Sequence, residues 1–419
     1  MLGFPFPPLA TAASWLLAAL SLTTAADTAL LWSRKNGASA WRICADRFSN
    51  GDDNNIRLEV ENAYPFAINL AVTDEIPAVF GRRDILFRLS LRRGQRKDIV
   101  YSLRPVKRGE YDFGHIRLFV ATGIGLAERR ITTGNELTVK VYPSFMMLRQ
   151  YELLAISNNL TEMGIKKIRR IGHHSEFEQI KEYVKDDDYR TINWKATARR
   201  NQLMVNTFRN ERSQQVYNII DKGRIMQSAF RGMTLLDYAI NAALVLSFVA
   251  VLREDKAGLA TFSSDFETFV PASKHSAQIN LILENLYRQQ TDFGESDYSS
   301  LYVHLEKHVS KRSLLVIYTD FENIIGMERQ LDYLSRLARR HVVLVVFFEN
   351  TELREVVENR PRTTEDYINQ VVAEKFIAEK RHVVSVLKQH GVYSLLTAPE
   401  KLSINVINRY LEMKSRRLI

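Results

Sequence analysis

The chain has 419 residues, 46% of them hydrophobic and 25% charged, with 18 glycines, 10 prolines and one cysteine. These fractions exclude disordered, collagen-like and disulfide-rich classes and leave room for two or three domains, each able to bury a core. Cys44 alone builds neither a disulfide framework nor a multi-cysteine metal site, and 58 basic against 48 acidic residues give +10, which suits an anionic membrane surface as well as nucleic acid.

The first element is apolar. After Pro5, Pro7 and Pro8, the 24 residues from Leu9 to Trp32 contain one charge, Asp27. A helix of that length, at about 1.5 Å per residue, covers the ~30 Å hydrocarbon core of a bilayer. Trp15 and Trp32 are placed as interfacial anchors, and Arg34, Lys35, Arg42 and Arg47 follow, which sets the downstream chain in the cytoplasm. The rival is a signal peptide cleaved near Thr24-Ala25-Ala26. The lack of a basic n-region and the length of the apolar run favour a retained anchor over residues 1–33. Asp27 reads as a terminal residue near the interface or as a helix–helix contact.

Residues 40–145 carry short alternating runs: IRLEVEN, AINLAVTDE, ILFRLSL, KDIVYSL, IRLFVA and LTVKVYP. Turn signals such as Asn50-Gly51-Asp52 and Arg93-Gly94 separate them, which predicts a β-sandwich of immunoglobulin-like type. The stretch Arg104–Tyr111 reads as a turn feeding a further strand pair. No motif there carries catalysis, so a binding or spacer module is expected.

From 213 to 397 the pattern changes to apolar strands alternating with helices. Val216–Ile220 predicts a strand ending in Asp221, and Thr234–Leu252 a helix. A strand over 257–263, a helix over 276–288, a strand over 313–320, a helix over 328–340 and a strand over 342–348 follow. This order predicts a parallel, doubly wound sheet, with Asp221 and Asp320 delivered to its carboxyl edge. Residues 398–419 are expected as a helix with a basic tail.

Between these modules, residues 150–212 hold an irregular run. It comprises Glu176-Phe177, Ile180, Tyr183, Asp187-Asp188, Arg190, Ile192, Trp194-Lys195 and Ala198-Arg199. The run resembles the signature of domain-of-unknown-function family 58, whose members pair it with a von Willebrand factor A-like domain. An RP-x-x-RG element of that family is matched by Arg104-Pro105 and Arg108-Gly109. The resemblance implies an α/β von Willebrand A-like, Rossmann-like parallel sheet behind membrane helices and a β-rich region. It also implies a partner, a MoxR-type AAA+ ATPase. Members commonly carry two membrane helices. One is visible here, so either a further helix precedes this start or this member has a single span.

Von Willebrand A domains often hold Mg²⁺ through D-x-S-x-S, a later threonine and a further aspartate. Here the first motif reads Asp221-Lys222-Gly223-Arg224-Ile225, without its serines. Ser296 stands for the threonine and Asp320 for the last aspartate, which leaves a degenerate site and no expected cofactor. Asp186, Asp187 and Asp188 are expected to cap a helix and pair with Arg190, Lys195 or Arg199, the alternative being a metal-dependent enzyme centred on them. Trp194 is expected as a core or interface anchor. His304 and His308 have i, i+4 spacing without a third ligand and are expected as plain helix histidines, as are His173-His174. No P-loop, GxSxG or GxGxxG is present. The expected function is therefore a membrane-anchored interaction protein touching lipids and an ATPase. A nucleic-acid binder using Lys166–Arg170 and Arg190–Arg200 is the further alternative, disfavoured because no aromatic-rich basic sheet accompanies those bases.

Overall fold

The computed structural model describes residues 7–81, 85–134, 136–146, 148, 176–184, 189, 192–209, 213–291, 293–321, 323–359 and 361–419. The chain divides into two compact units, residues 1–147 with 231–233 and residues 148–230 with 234–419.

In the first unit, helix α1 (Pro7–Trp32) precedes ten strands. These are β1 (Ala38–Ile43), β2 (Arg47–Ser49), β3 (Asn54–Asn62), β4 (Ile68–Asp74), β5 (Leu86–Leu91), β6 (Arg96–Leu103), β7 (Gly109–Phe113), β8 (Ile116–Ala121), β9 (Glu128–Thr133) and β10 (Leu137–Tyr142). They form sheets of order β1-β3-β6, β5-β4-β8-β9 and β2-β10-β7. Alternation makes this sandwich-like: β3 buries Ile56, Leu58 and Val60 and points Arg57 and Glu59 outward. Those residues join Val72, Phe113, Leu118, Val120, Val139 and Val141 in one apolar core. The polar core positions are bonded, since Asp74 accepts from both Arg42 and Tyr101. Strands β1, β2 and β9 were not separately expected. They are short or carry arginines, as β9 does in Glu128-Arg129-Arg130.

The second unit opens with an antiparallel pair, β11 (Glu176–Glu182) and β12 (Met204–Arg209), joined through helix α2 (Trp194–Arg200). A six-stranded sheet follows, built from β13 (Gln215–Asp221), β14 (Lys256–Phe262), β15 (Phe266–Ser273), β16 (Leu314–Tyr318), β17 (Val342–Phe348) and β18 (Tyr393–Thr397). Its order is β15-β14-β13-β16-β17-β18. The sheet is mixed rather than all parallel, because β15 pairs antiparallel with β14 at one edge. That strand carries Pro271, which an edge position tolerates.

The helices are α3 (Leu235–Leu252), α4 (Ala277–Tyr287), α5 (Tyr298–His308), α6 (Ile324–Arg340), α7 (Thr351–Glu358), α8 (Thr364–Gln389) and α9 (Leu402–Ser415). Leu301, Leu305, Leu334, Leu337, Val383 and Leu387 from α5, α6 and α8 pack on Ile219, Ile317 and Val345. Helix α3 lies against β13 and β14 and is covered by α9. Both faces of the sheet are therefore covered, which is why its central strands read as unbroken apolar runs.

Among the described residues, two helices are long and apolar enough to cross a membrane, at Thr11–Trp32 and Leu235–Leu252. The second is the mostly buried core helix α3.

Candidate functional site at the carboxyl edge

The sheet order reverses between β13 and β16, and their carboxyl ends bring Asp221, Thr319 and Asp320 to one edge. Such a switch point is where open α/β sheets place their sites. Asp221 is 2% exposed. One of its oxygens accepts from the Ser296 hydroxyl and from the Gly223 N–H at 2.8 Å. The other accepts from the Thr319 hydroxyl at 2.7 Å. Thr319 accepts in turn from Tyr298 at 2.9 Å. Burial first, and then the Asp221 carboxylate, hold the Tyr298 phenol well above its usual value, so it acts as a neutral donor. A Cβ at Gly223 would collide with the Ser296 hydroxyl, which explains glycine at that position.

The two expected partners, Asp221 and Ser296, are thus joined, and Thr319 was missed although it adjoins Asp320. Asp320 lies two residues beyond the end of β16 and pairs with Lys380 of α8. Burial pushes its carboxyl above the usual carboxylate range, and the Lys380 ammonium pulls it back down. Lys222 is 4% exposed and donates to Glu267 at 2.6 Å, which also accepts from Ser263 at 3.1 Å.

This donor set does not fit a hard divalent cation. Asp221 is engaged by hydroxyls and an amide, Asp320 is neutralised by an ammonium, and the loop after β13 presents Lys222 and Arg224 instead of hydroxyls. Among the described residues no group of three or more His, Cys, Asp and Glu side chains could hold a metal.

The rim of this edge is apolar in places. Phe293 is 64% exposed and adopts φ +62°, a conformation that side chains rarely take. The adjacent Gly294 carbonyl accepts from the Arg224 N–H at 2.9 Å, which ties this loop to the end of β13. Ile325, at the start of α6, is 60% exposed.

The signature run folds as the β11–α2–β12 unit. Glu176 and Phe177 sit opposite Arg209 and Phe208. Tyr183 donates its N–H to the Leu203 carbonyl at 2.8 Å. Asp186, Asp187, Asp188 and Arg190 lie outside the described residues, as do His173 and His174. The cap of α2 is Asn193, whose side chain accepts from the Ala196 N–H at 3.0 Å. Lys195, Ala198 and Arg199 are exposed. Trp194 is not a core residue. It stands at the first position of α2 and is 70% exposed. Tyr189, Val184 and Leu203 are exposed as well. His304 and His308 stack parallel, 5.9 Å apart, with His304 on the Phe266 ring at 4.5 Å, so their rings share a face instead of converging on an ion.

Residues 179–358 match the family model described as "Protein of unknown function DUF58". The chain is similar to the uncharacterized protein YeaD of Bacillus subtilis (strain 168), with 28% identity over 172 residues, which is 40% of each protein. It therefore spans well under two thirds of that relative's length. Among solved structures, the conserved hypothetical protein BatB from Bacteroides thetaiotaomicron aligns at 15% identity and TM-score 0.35, over 49% of this chain and 100% of that one. An aerotolerance-related membrane protein from Bacteroides fragilis NCTC 9343 aligns at 14% and 0.32, with the same coverage. The CARDB domain of PF1109 from Pyrococcus furiosus aligns at 16% and 0.19, over 25% of this chain and 94% of that one. The segment that matches this family model, residues 179–358, takes in most of the β11–α2–β12 unit together with the switch-point aspartates Asp221 and Asp320.

Proposed function

We propose that this chain is a membrane-anchored, non-enzymatic adaptor facing the cytoplasm, working with a MoxR-type AAA+ ATPase. On this reading α1 is a single span and the first unit an immunoglobulin-like spacer. The second unit is a von Willebrand A-like domain whose adhesion site has lost its metal. The strand order with one antiparallel edge, and Asp221 at the end of the first sheet strand, support the von Willebrand A-like assignment. The basic residues after α1 support the orientation.

The observation that carries the adaptor reading is the surface of the signature unit. Trp194 is 70% and Tyr189 68% exposed, with Val184 and Leu203 alongside them in sequence. Large aromatic side chains left in water are the usual anchors of protein interfaces. The two switch-point carboxylates are meanwhile bonded to internal partners, Asp221 to Ser296 and Thr319 and Asp320 to Lys380.

The test is capture of partners by the full chain in detergent, from lysate of its source with ATP and Mg²⁺, beside Trp194→Ala/Tyr189→Ala and Phe293→Ala variants. Recovery of an AAA+ ATPase that the double variant loses supports the adaptor reading and its surface. Loss only with Phe293→Ala moves the surface to the carboxyl edge. Absence of any ATPase from every lane removes the proposed partner.

A further inference from the structure

The last turns of α1 are built into the β-unit. Asp27 is fully buried, and it accepts from the Thr122 hydroxyl and from the N–H groups of Leu126 and Ala127 at 3.0 and 2.9 Å. The Leu31 carbonyl accepts from Tyr64 and Arg129, each at 2.6 Å. Arg129 also donates to the Arg34 carbonyl at 2.6 Å and lies over the Trp32 ring at 5.3 Å. The loop between β8 and β9, residues 122–127, is thereby fixed beside the helix at the level of Asp27.

That loop is the apolar tip of its hairpin. Ile124 is 61% and Leu126 43% exposed, and Gly125 makes the turn at φ +74°. Upstream of Asp27, α1 exposes Trp15, Leu16, Leu17, Leu20 and Leu22. From Pro7 to Ala26 the helix rises about 30 Å, which matches the hydrocarbon thickness. A boundary at Trp32 would instead sink Asp27 and the loop by roughly 8 Å into lipid. With the boundary at Asp27, the exposed apolar helix face is in hydrocarbon, the loop tip meets the headgroups, and exposed Arg34 and Lys35 lie on the water side.

We propose that the 122–127 loop is a lipid-contacting element. Ile124 and Leu126 enter the headgroup layer of the bilayer that α1 spans, and seat the β-unit directly on the membrane. This rests on reading α1 as a span. Its occupant is the lipid surface, because the loop is bonded to the spanning helix at the height where the bilayer must end.

The test uses the full chain with Cys44→Ser and one new cysteine, at Ile124, Leu20 or Thr132, each bearing an environment-sensitive fluorophore. Thr132 lies on β9 toward the end of the hairpin away from the loop. The chains are reconstituted into phosphatidylcholine–phosphatidylglycerol vesicles containing lipids spin-labelled near the headgroup or deep in the acyl chain. The expected result is that the Ile124 label loses most of its emission to the shallow quencher, the Leu20 label to the deep one, and the Thr132 label to neither. An Ile124 label as unquenched as Thr132, with Leu20 quenched, overturns the proposal and leaves the span intact. An Ile124 label in an apolar environment that no lipid quencher reaches means that protein covers the loop, which also overturns it. A Leu20 label that lipid cannot quench refutes the span itself, and the loop proposal with it.

Discussion

The Asp320–Lys380 pair shows how much of the site depends on residues far apart in sequence. Lys380→Met leaves a largely buried carboxylate without its counter-ion and should cost about 2 kcal/mol at neutral pH, read by urea denaturation. Asp320 already binds its proton more tightly when folded than when unfolded, so the carboxylate opposes folding above its folded pKa. The variant should therefore regain stability as the pH falls toward the ordinary carboxylate range, and Asp320→Asn/Lys380→Met should show little of that slope. His341 predicts the opposite sign. Burial, then Arg340, hold its pKa below the ordinary 6.5, against a smaller pull from Glu306. The folded protein keeps this imidazole neutral, so stability is full above pH 6.5 and declines below it as the unfolded chain takes up the proton. His341→Leu should flatten that decline in denaturation series across acid pH. Asp221 and Ser296 were legible as partners only through the resemblance to von Willebrand A domains, whose motif positions they fill. Lys380 was not, because nothing local links a lysine on a late helix to a strand end sixty residues earlier.

At the scale of elements, the legible ones were those whose hydrophobic period matched their burial. Strands β3, β4 and β8 alternate because one face is buried, and β13, β16 and β17 run apolar because both faces are. Edge strands β15 and β18 were not expected, since only part of each is buried and periodicity fades with it. Helix α3 shows what an apolar run conceals. Beneath it, Asn218 donates to Ser247 at 2.9 Å and accepts from Tyr318 at 3.0 Å, a satisfied polar link between helix and two strands. Asn218→Ala leaves both hydroxyls without that partner and should destabilise the second unit by about 2–4 kcal/mol. Removing the hydroxyls too, with Ser247→Ala and Tyr318→Phe, should recover part of the loss in the same melt.

Across the whole molecule, the apolar N-terminal helix was readable from the length of its uncharged run. The junction between α1 and the β-unit was not, because a lone aspartate in an apolar run gives no hint of the loop about a hundred residues later that receives it. Asp27→Ala should raise amide hydrogen exchange at Leu126 and Ala127, whose N–H groups bind that carboxylate, with little change at the far end of β9.

Helix α9 has a consequence for biogenesis. It buries Leu402, Val406, Ile407 and Tyr410 and packs on α3, and it is fastened by Tyr410 and Lys414 to Asp255. Until that helix leaves the ribosome, α3 lacks its cover and is itself long and apolar enough to traverse the bilayer in which the proposed α1 anchor would sit. Synthesis is then a race between docking of α9 and mistaken insertion of α3. A chain stopped before Leu402 should lose that race, with α3 becoming resistant to protease in isolated membranes. The same segment should remain cleavable after denaturation when the full chain is made.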